Sequence, residues 1–382
     1  MSSTDASLPS TSSSSSSSSS NVETNSNIHT TAFTTSTIGD TLASHDHQHH
    51  HHTHSHEDED NDDPDHHHKD DPAHRIVLPS DVLPSILSSP DDIEYLEYIG
   101  TQGQKITILD GLTKLTKVLS VCFRSNLIKS MIGLHQLPKN IDNLELYDNL
   151  IEKLEDIEQF QNLQILDISY NRVRTLENIS TLSSLSILYI AANKITSLNN
   201  YLLPLTNLTK LDLGANKLTK IEGLETLINL DSLWLGKNKI TKIENLSTLT
   251  KLTRLDIQSN RLRKIEGLEN LIYLQELVLG HNGIEKLEGL DTLINLTILD
   301  LSGNKITKIE NLANNKNLED LWLSYNQISQ FIPDLPLLHQ SCPLLTTLYL
   351  EHNPVSSDWE YRKLLSKHIP SLTQIDATMV RR

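Results

Sequence analysis

Acidic and aromatic residues recur in this sequence at intervals of 22 or 23 residues, with a last interval of 27, and each lies between two apolar residues. In chain order these positions hold Cys122, Glu145, Asp167, Tyr189, Asp212, Trp234, Asp256, Val278, Asp300, Trp322 and Tyr349. Five of them are acids and four are aromatic, although only 4% of the chain is aromatic. Carboxylates attract basic groups, and Trp and Tyr are enriched at binding hot spots. The chemistry predicted is therefore noncovalent recognition of a protein with basic patches.

No catalytic motif accompanies these residues. The repeats contain no phosphate-binding glycine loop, paired cysteines, HExxH or nucleophile elbow. Their five histidines are scattered, at His135, His281, His339, His352 and His368. Residues 76–382 carry 36 acids and 30 bases, which disfavours a nucleic-acid partner, and no apolar run is long enough to span a membrane. We expect a protein that is not an enzyme and needs no cofactor.

The elements that position these residues form an internal repeat. Its frame is Leu208-x-x-Leu211-x-Leu213-x-x-Asn216-x-Leu218. The frame recurs with its Asn at 126, 149, 171, 193, 216, 238, 260, 282, 304, 326 and 353, and only the last spacing, of 27, exceeds 23. This period and spacing predict a leucine-rich-repeat solenoid.

One repeat predicts its own local structure. Leu211 and Leu213 show the two-residue period of a strand with one buried face. Ile221, Leu224 and Leu227 then follow every third position, which favours 3₁₀-like turns over an α-helix. The fold class is therefore α/β, with a parallel concave sheet and a 3₁₀ or helical convex side. Strands ~4.8 Å apart would make the column of acids and aromatics roughly 50 Å long.

Two polar positions of the repeat have predicted structural roles. The Asn after each strand can donate and accept at once, so it can satisfy backbone groups at the bend. Seven residues after the Asn, nine consecutive repeats carry a residue that tolerates a positive φ. These are Gly133, Asp156, Asn178, Asn200, Gly223, Asn245, Gly267, Gly289 and Asn311.

The chain divides into four segments. Residues 76–117 form an N-terminal cap with a degenerate repeat, in which Leu96 and Ile99 fit the frame and Gln104 replaces Asn. Residues 118–353 hold eleven repeats, and residues 354–382 form a C-terminal cap whose amphipathic stretch begins at Trp359. Terminal repeats are expected to be atypical because they must close an open core.

Residues 1–75 are a tail of different composition. It contains a serine run, Ser12–Ser20, and twelve histidines between 45 and 74. Apolar residues are too sparse to form a core, so we expect disorder. The histidines could alternatively bind divalent metal, which would make storage or delivery of metal a function of the tail. The first residues lack the features of a signal peptide, so we expect an intracellular protein.

The sequence resembles the protein phosphatase 1 regulatory subunit 7 family. The resemblance covers residues 90–382 and includes LWLGKNKITKIENL at 233–246, HNGIEKLEGL at 281–290 and the ending IDATMV at 375–380. It implies a regulatory subunit that binds the phosphatase catalytic subunit through the concave face, in the nucleus and cytoplasm. A further phosphatase regulator is a second partner that it implies.

The resemblance also implies contact residues. It places the family's contacts on Asp167, Tyr189, Asp212, Trp234, Asp300, Asp320, Trp322 and Tyr349, and the repeat pattern adds Asp256. Tyr189 and Trp234 stand where the family more often has Phe, and Asp212 where it has Glu. Inhibition, stabilisation and relocation of the phosphatase all fit this pattern. The alternative within the same class is another leucine-rich adaptor, such as the spliceosomal A-prime protein.

Overall fold

The structure is a computed structural model that describes residues 75–76, 93–330 and 335–380. Residues 1–74 of the tail lie outside this range, and so do 77–92 of the N-terminal cap. The disorder and the metal binding predicted for the tail therefore remain predictions.

Fourteen strands form one sheet in which all neighbouring strands are parallel except the last pair. Two further strands, β1 and β3, pair with each other in a separate two-stranded sheet. The strands are β1 Arg75–Ile76, β2 Tyr95–Glu97, β3 Gln104–Lys105, β4 Ser120–Cys122, β5 Asn143–Glu145, β6 Ile165–Asp167, β7 Ile187–Tyr189, β8 Lys210–Asp212, β9 Ser232–Trp234, β10 Arg254–Asp256, β11 Glu276–Val278, β12 Ile298–Asp300, β13 Asp320–Trp322, β14 Thr347–Tyr349, β15 Gln374–Ile375 and β16 Thr378–Met379. Each repeat contributes one strand, so the fold is the predicted solenoid.

The return segments are built from tight turns. In one of them Leu227 N–H donates to the Leu224 carbonyl at 3.0 Å, and Leu230 N–H donates to the Leu227 carbonyl at 2.9 Å. This i→i+3 pattern is that of a 3₁₀-helix, as the three-residue period predicts. Among the described residues, 3₁₀-helices are assigned at Leu112–Lys114, Leu134–Gln136, Ile179–Thr181 and Pro354–Ser357, and α-helices at α1 Leu335–Ser341 and α2 Tyr361–His368.

The core runs the length of the solenoid between sheet and returns. Leu211, Leu213, Leu218, Ile221 and Leu224 all have 0% exposure, and most other repeats bury the same positions. No single repeat encloses its own apolar residues, so each core layer is completed by its neighbours.

A ladder of asparagines links each repeat to the one before it. Asn238 Oδ1 accepts the Leu218 N–H at 2.9 Å, and Asn238 Nδ2 donates to the carbonyls of Leu213 and Leu235, both at 3.0 Å. Two of these three groups belong to the preceding repeat. The same Oδ1 contact is made by all eleven frame asparagines. The predicted role of Asn in satisfying the bend is confirmed.

The left-handed turns are confirmed at eight of the nine predicted positions. The exception is Asn200, because Asn199 carries the positive φ, at 46°. Both residues are asparagine and tolerate this conformation, so residue type alone does not decide which of the two adopts it. At Gly223, with φ 68°, a Cβ would lie 1.9 Å from the Asn199 carbonyl oxygen, which explains glycine there.

The N-terminal end differs from the predicted frame. Leu96 pairs with Val121, so Tyr98 and Thr101, not Ile99 and Gln104, occupy the repeat positions. Tyr98 is 7% exposed, whereas Ile99 is 40% exposed. The frame fails here because an aromatic residue replaces the usual aliphatic one.

The C-terminal cap closes on Asp376. Its Oδ1 accepts the N–H groups of Leu350 and Glu351 at 2.8 and 3.0 Å, and Tyr361 Oη donates to Oδ2 at 2.9 Å. Trp359, predicted to help cover the core, is instead 87% exposed. Leu365 and Ile369 of the same amphipathic stretch are 0% exposed and close the core, as predicted for that stretch.

The asparagine ladder generates a stability prediction. Asn238→Ala should lower the free energy of unfolding by about 1–3 kcal/mol, because it leaves the buried Leu218 N–H without its acceptor and removes one amide donor from each of the Leu213 and Leu235 carbonyls. Asn317→Ala is the control, since this exposed side chain donates one hydrogen bond, to the Ile294 carbonyl. Urea denaturation of both variants measures the difference. Equal and small losses would contradict a structural role for the ladder.

Candidate protein-binding face

The predicted acids and aromatics form one continuous column on the concave face of the sheet. Consecutive strands align them as Cα partners, from Cys122 beside Glu145 to Trp322 beside Tyr349. The leucines on either side of Asp212 are fully buried, so alternation along the strand places Asp212 on the opposite face. We call these eleven residues, from Cys122 to Tyr349, the concave column.

All nine predicted contact residues lie on this face. Eight belong to the concave column, and Asp320 lies two residues before Trp322 in β13. Their role in binding a partner stays a prediction.

Acids occupy every second strand of the column from β6 to β12. Asp167, Asp212, Asp256 and Asp300 alternate with Tyr189, Trp234 and Val278. Strands ~4.8 Å apart separate successive acids by roughly 10 Å, about one Debye length. The surface therefore offers regularly spaced negative charges with apolar contacts between them.

The column is less exposed than the sequence suggests. Tyr189, Trp234 and Trp322 are half-buried rather than exposed, and Asp167 is only 3% exposed. Neighbouring side chains on an inward-curving sheet crowd one another, and a single repeat does not reveal this crowding. The column thus forms the floor of the concavity, with Asp167 as its least accessible acid.

Each of the four aspartates of the concave column also makes a backbone contact that the repeat pattern did not predict. Its Oδ1 accepts the backbone N–H two residues further on, where the chain leaves the strand. The donors are Ser169 at 2.9 Å and Gly214, Gln258 and Ser302 at 2.8 Å. Asp at this position satisfies a backbone donor locally, as in an Asx turn. The recurrence of Asp in every second repeat was the feature of the sequence that could have indicated this contact.

Burial makes three aspartates of the column hard to ionise. Desolvation raises the pKa of Asp167, Asp212 and Asp256 to about 6, although the accepted N–H groups act in the opposite direction. Coulombic repulsion from Asp256 and Asp167 adds to the rise in the pKa of Asp212. A cationic partner group placed over the column would relieve both effects.

The C-terminal end of the column is aromatic. The rings of Trp322 and Tyr349 meet edge to face, with centroids 6.0 Å apart and planes inclined at 67°. Tyr349 Oη accepts a hydrogen bond from Gln374 Nε2 at 2.6 Å, which fixes its ring. Edge-to-face pairs of this kind are rigid apolar anchors at protein interfaces.

Further charged residues lie beside the column. Arg254 and Glu276, at the starts of β10 and β11, are joined by a hydrogen bond of 2.7 Å between Nε and Oε2. At the N-terminal end, Arg124 Nη1 lies 3.8 Å from Glu145 Oε2. The repeat pattern of the column does not indicate these pairs, because each one includes a residue outside the central position of its strand.

The described residues contain no cluster of His, Cys, Asp or Glu suited to hold a metal ion. Cys122 is buried in the column, and its desolvation and the charge of Glu145 raise the pKa of its thiol. This keeps the thiol protonated and weakly nucleophilic. In the part of the chain that the structure describes, no helix has the length and apolar character to cross a membrane.

The raised pKa of Asp212 generates a prediction of pH-dependent stability. The unfolded carboxyl has a pKa near 3.8 and the folded one a pKa of about 6, so its stabilising contribution is full below 3.8 and is lost as pH rises through 6. Asp212→Asn keeps an oxygen acceptor for Gly214 and removes the charge. It should therefore raise the free energy of unfolding by about 1–2 kcal/mol at pH 7.5 and have little effect near pH 4.

Urea denaturation at the two pH values tests this. Asp291→Asn, at an exposed carboxyl in a return segment, controls for the loss of one negative charge. A loss of stability in Asp212→Asn at pH 7.5 would contradict the assignment of a desolvated, ionised carboxylate.

Comparisons with known proteins agree with the repeat architecture. The family model described as Leucine Rich repeats (2 copies) matches residues 206–248, 228–270, 250–292, 274–314 and 294–336. Two solved structures share the fold. The internalin InlF of Listeria monocytogenes is 24% identical, with a TM-score of 0.66 over 77% of this chain and 83% of that one. A leucine-rich-repeat protein of Leptospira interrogans is 23% identical, with a TM-score of 0.61 over 79% and 81% of the two chains.

A curated relative gives a more specific similarity. The chain is 39% identical over 95 residues to protein phosphatase 1 regulatory subunit SDS22 of Schizosaccharomyces pombe. The match covers 25% of this chain and about a quarter, 26%, of the relative. The chain therefore has a leucine-rich-repeat fold, and over 95 residues it is similar to a regulatory subunit of protein phosphatase 1, in agreement with the resemblance seen in the sequence.

Proposed function

We propose that this chain is a non-catalytic regulatory subunit that binds the catalytic subunit of protein phosphatase 1 through the concave column and controls its activity or location. The observation that carries the proposal is the register-aligned series of acids and aromatics, in a chain similar to SDS22. A further phosphatase regulator, and an intracellular location in nucleus and cytoplasm, belong to the same proposal.

The column supplies two kinds of binding energy. Its half-buried aromatics, above all the Trp322–Tyr349 pair, give rigid apolar area that loses little side-chain entropy on binding. Its spaced carboxylates speed the encounter with a basic surface and select against acidic partners. Because the desolvated acids are already destabilised when ionised, cationic groups of a partner gain more from them than from exposed acids.

The size of the face supports a folded partner rather than a short peptide. The nine contact residues extend from β6 to β14, a span of eight strand intervals of ~4.8 Å, or roughly 40 Å. That distance is comparable with the diameter of a globular domain. Both alternatives, a different adaptor function and metal delivery by the tail, predict that the purified phosphatase would not bind.

Two adjacent residues test the proposal: Trp322, the last residue of β13, and Leu323, which follows it. Trp322→Ala should weaken binding of the purified phosphatase catalytic subunit by ~2–4 kcal/mol. It should cost only about 1 kcal/mol of folding stability, through its contact with Tyr349. Leu323, 0% exposed, points into the core, so Leu323→Ala should cost roughly 2–5 kcal/mol of stability. Isothermal titration and urea denaturation decide, and unchanged binding of a folded Trp322→Ala protein would refute the proposed face.

Salt dependence tests the acids separately. Asp212→Asn combined with Asp300→Asn keeps the acceptors for Gly214 and Ser302 and removes two charges. The association rate should fall about threefold to tenfold at low salt, and the difference should vanish at high salt. Stopped-flow or surface plasmon measurements provide the rates. Equal association rates for the wild-type protein and the double variant at low salt would place the partner away from the column.

A further inference from the structure

The residue before each ladder asparagine has a left-handed backbone. Its φ lies between 51° and 59° at ten repeats and is 67° at the eleventh, a glycine. These residues are Ser125, Asp148, Tyr170, Ala192, Ala215, Lys237, Ser259, His281, Gly303, Tyr325 and His352. A bulky side chain is disfavoured in this conformation, so small or polar residues suit the position best.

The last two repeats place large rings at this strained position. Tyr325 and His352 stack with centroids 4.1 Å apart and planes inclined at 13°. Tyr325 is 40% exposed, and His352 is also exposed. Burial in the core therefore does not explain why rings stand where Ser125 and Ser259 adopt the same backbone. We call Tyr325 and His352 the aromatic edge pair.

A negative charge lies beside the aromatic edge pair. Glu351 precedes His352 in the chain, and the Tyr325 N–H donates to the Glu351 carbonyl at 3.0 Å. Partial desolvation by its neighbours raises the pKa of Tyr325, and the Glu351 carboxylate adds to that rise. Anionic ligands are disfavoured in such surroundings, and cations are favoured.

The other end of the same sheet edge shows which cation such surroundings hold. The Arg124 guanidinium lies 4.7 Å from the centroid of the Tyr147 ring, and its Nη1 lies 3.8 Å from Glu145 Oε2. The Tyr147 ring contacts Tyr170, with centroids 4.9 Å apart. Tyr170 occupies the same repeat position as Tyr325. The chain itself thus combines tyrosines on this edge with a carboxylate and an arginine.

We propose that the aromatic edge pair, with Glu351, is a docking site for an arginine side chain of the protein that covers the concave column. This inference rests on the proposed function. A planar guanidinium can stack on a ring and pair with a carboxylate at once, whereas a lysine ammonium is a strongly hydrated point charge.

The position of the pair supports one shared partner. Tyr325 and His352 each lie three residues after a column residue, Trp322 and Tyr349, and those two rings contact each other. A protein seated on the C-terminal half of the column therefore reaches the edge formed by the strand ends. The edge pair extends the binding face beyond the central column.

The variant Tyr325→Ser tests this site without disturbing the fold. Ser125 and Ser259 already adopt φ of 55° and 52° at the same position, so the thermal midpoint should stay equal or rise. The Kd for the purified phosphatase catalytic subunit should rise about tenfold. Tyr273→Ser is the control, because Tyr273 is 56% exposed but precedes its strand and so lies at the opposite edge. It should leave the Kd within about twofold. A Tyr325→Ser protein with wild-type affinity would overturn the inference.

A second measurement separates this inference from the proposed function. N-acetyl-arginine amide and N-acetyl-lysine amide are titrated into the full chain with labelled tyrosine and histidine, and ring resonances are followed by NMR. Arginine should shift the Tyr325 and His352 signals clearly more than lysine, and Tyr325→Ser should abolish the His352 response. If the wild-type chain fails to bind the phosphatase, the proposed function falls while this titration still decides the site. Equal responses to both amides would overturn it.

Discussion

The stacking of repeats depends on one asparagine amide per turn of the solenoid. Each amide holds the backbone of its own repeat and that of the preceding repeat, as Asn238 does with Leu218 and Leu213. The contact leaves no freedom to shift one repeat along its neighbour, since a slip would break two or three buried hydrogen bonds at once. A slip of one residue would also turn Asp212 toward the core and a leucine toward the partner. The chemistry of the concave face therefore depends on the ladder beneath it.

The same amide imposes a cost on the residue before it. The chain must reach the asparagine through a left-handed residue, and it does so in all eleven repeats. Because the backbone there is held on both sides, the side chain at that position leaves the sheet edge in a fixed direction. Such a position is poor for stability but well suited to presenting a ring or a charge to a partner. The backbone strain at this position follows from the stacking of the repeats. The residue type at this position differs between repeats, so partner recognition can vary there.

The sequence predicted what repeats and missed what depends on neighbours. The period of 22 or 23 residues was enough to predict the strands, their register and the role of Asn at the bend, because every repeat carries the same residue pattern. It was insufficient at Asn200, because the adjacent Asn199 tolerates the same left-handed turn and adopts it, and at Ile99, where Tyr98 fills the core. It also failed for Trp359, because apolar character alone does not say which of several apolar residues a cap will bury. These misses lie where a repeat departs from its neighbours in composition.

The exposure of the column was overestimated for a different reason. A strand pattern tells which face a side chain points to, but the crowding on that face depends on the curvature of the whole stack. Crowding takes water away from Asp167, Asp212 and Asp256, and this raises the pKa of each carboxyl. A solenoid with a fully buried leucine core tolerates three such destabilised charges, whereas selection for stability alone would have replaced them with Asn, which can accept the same backbone N–H. These acids lower the stability of the fold, and they recur in every second strand between apolar side chains. Residues that are unfavourable for folding but regularly placed are expected of a binding surface. Desolvation of these carboxylates costs folding free energy. That free energy is recovered on binding when cationic groups of a partner replace the missing water.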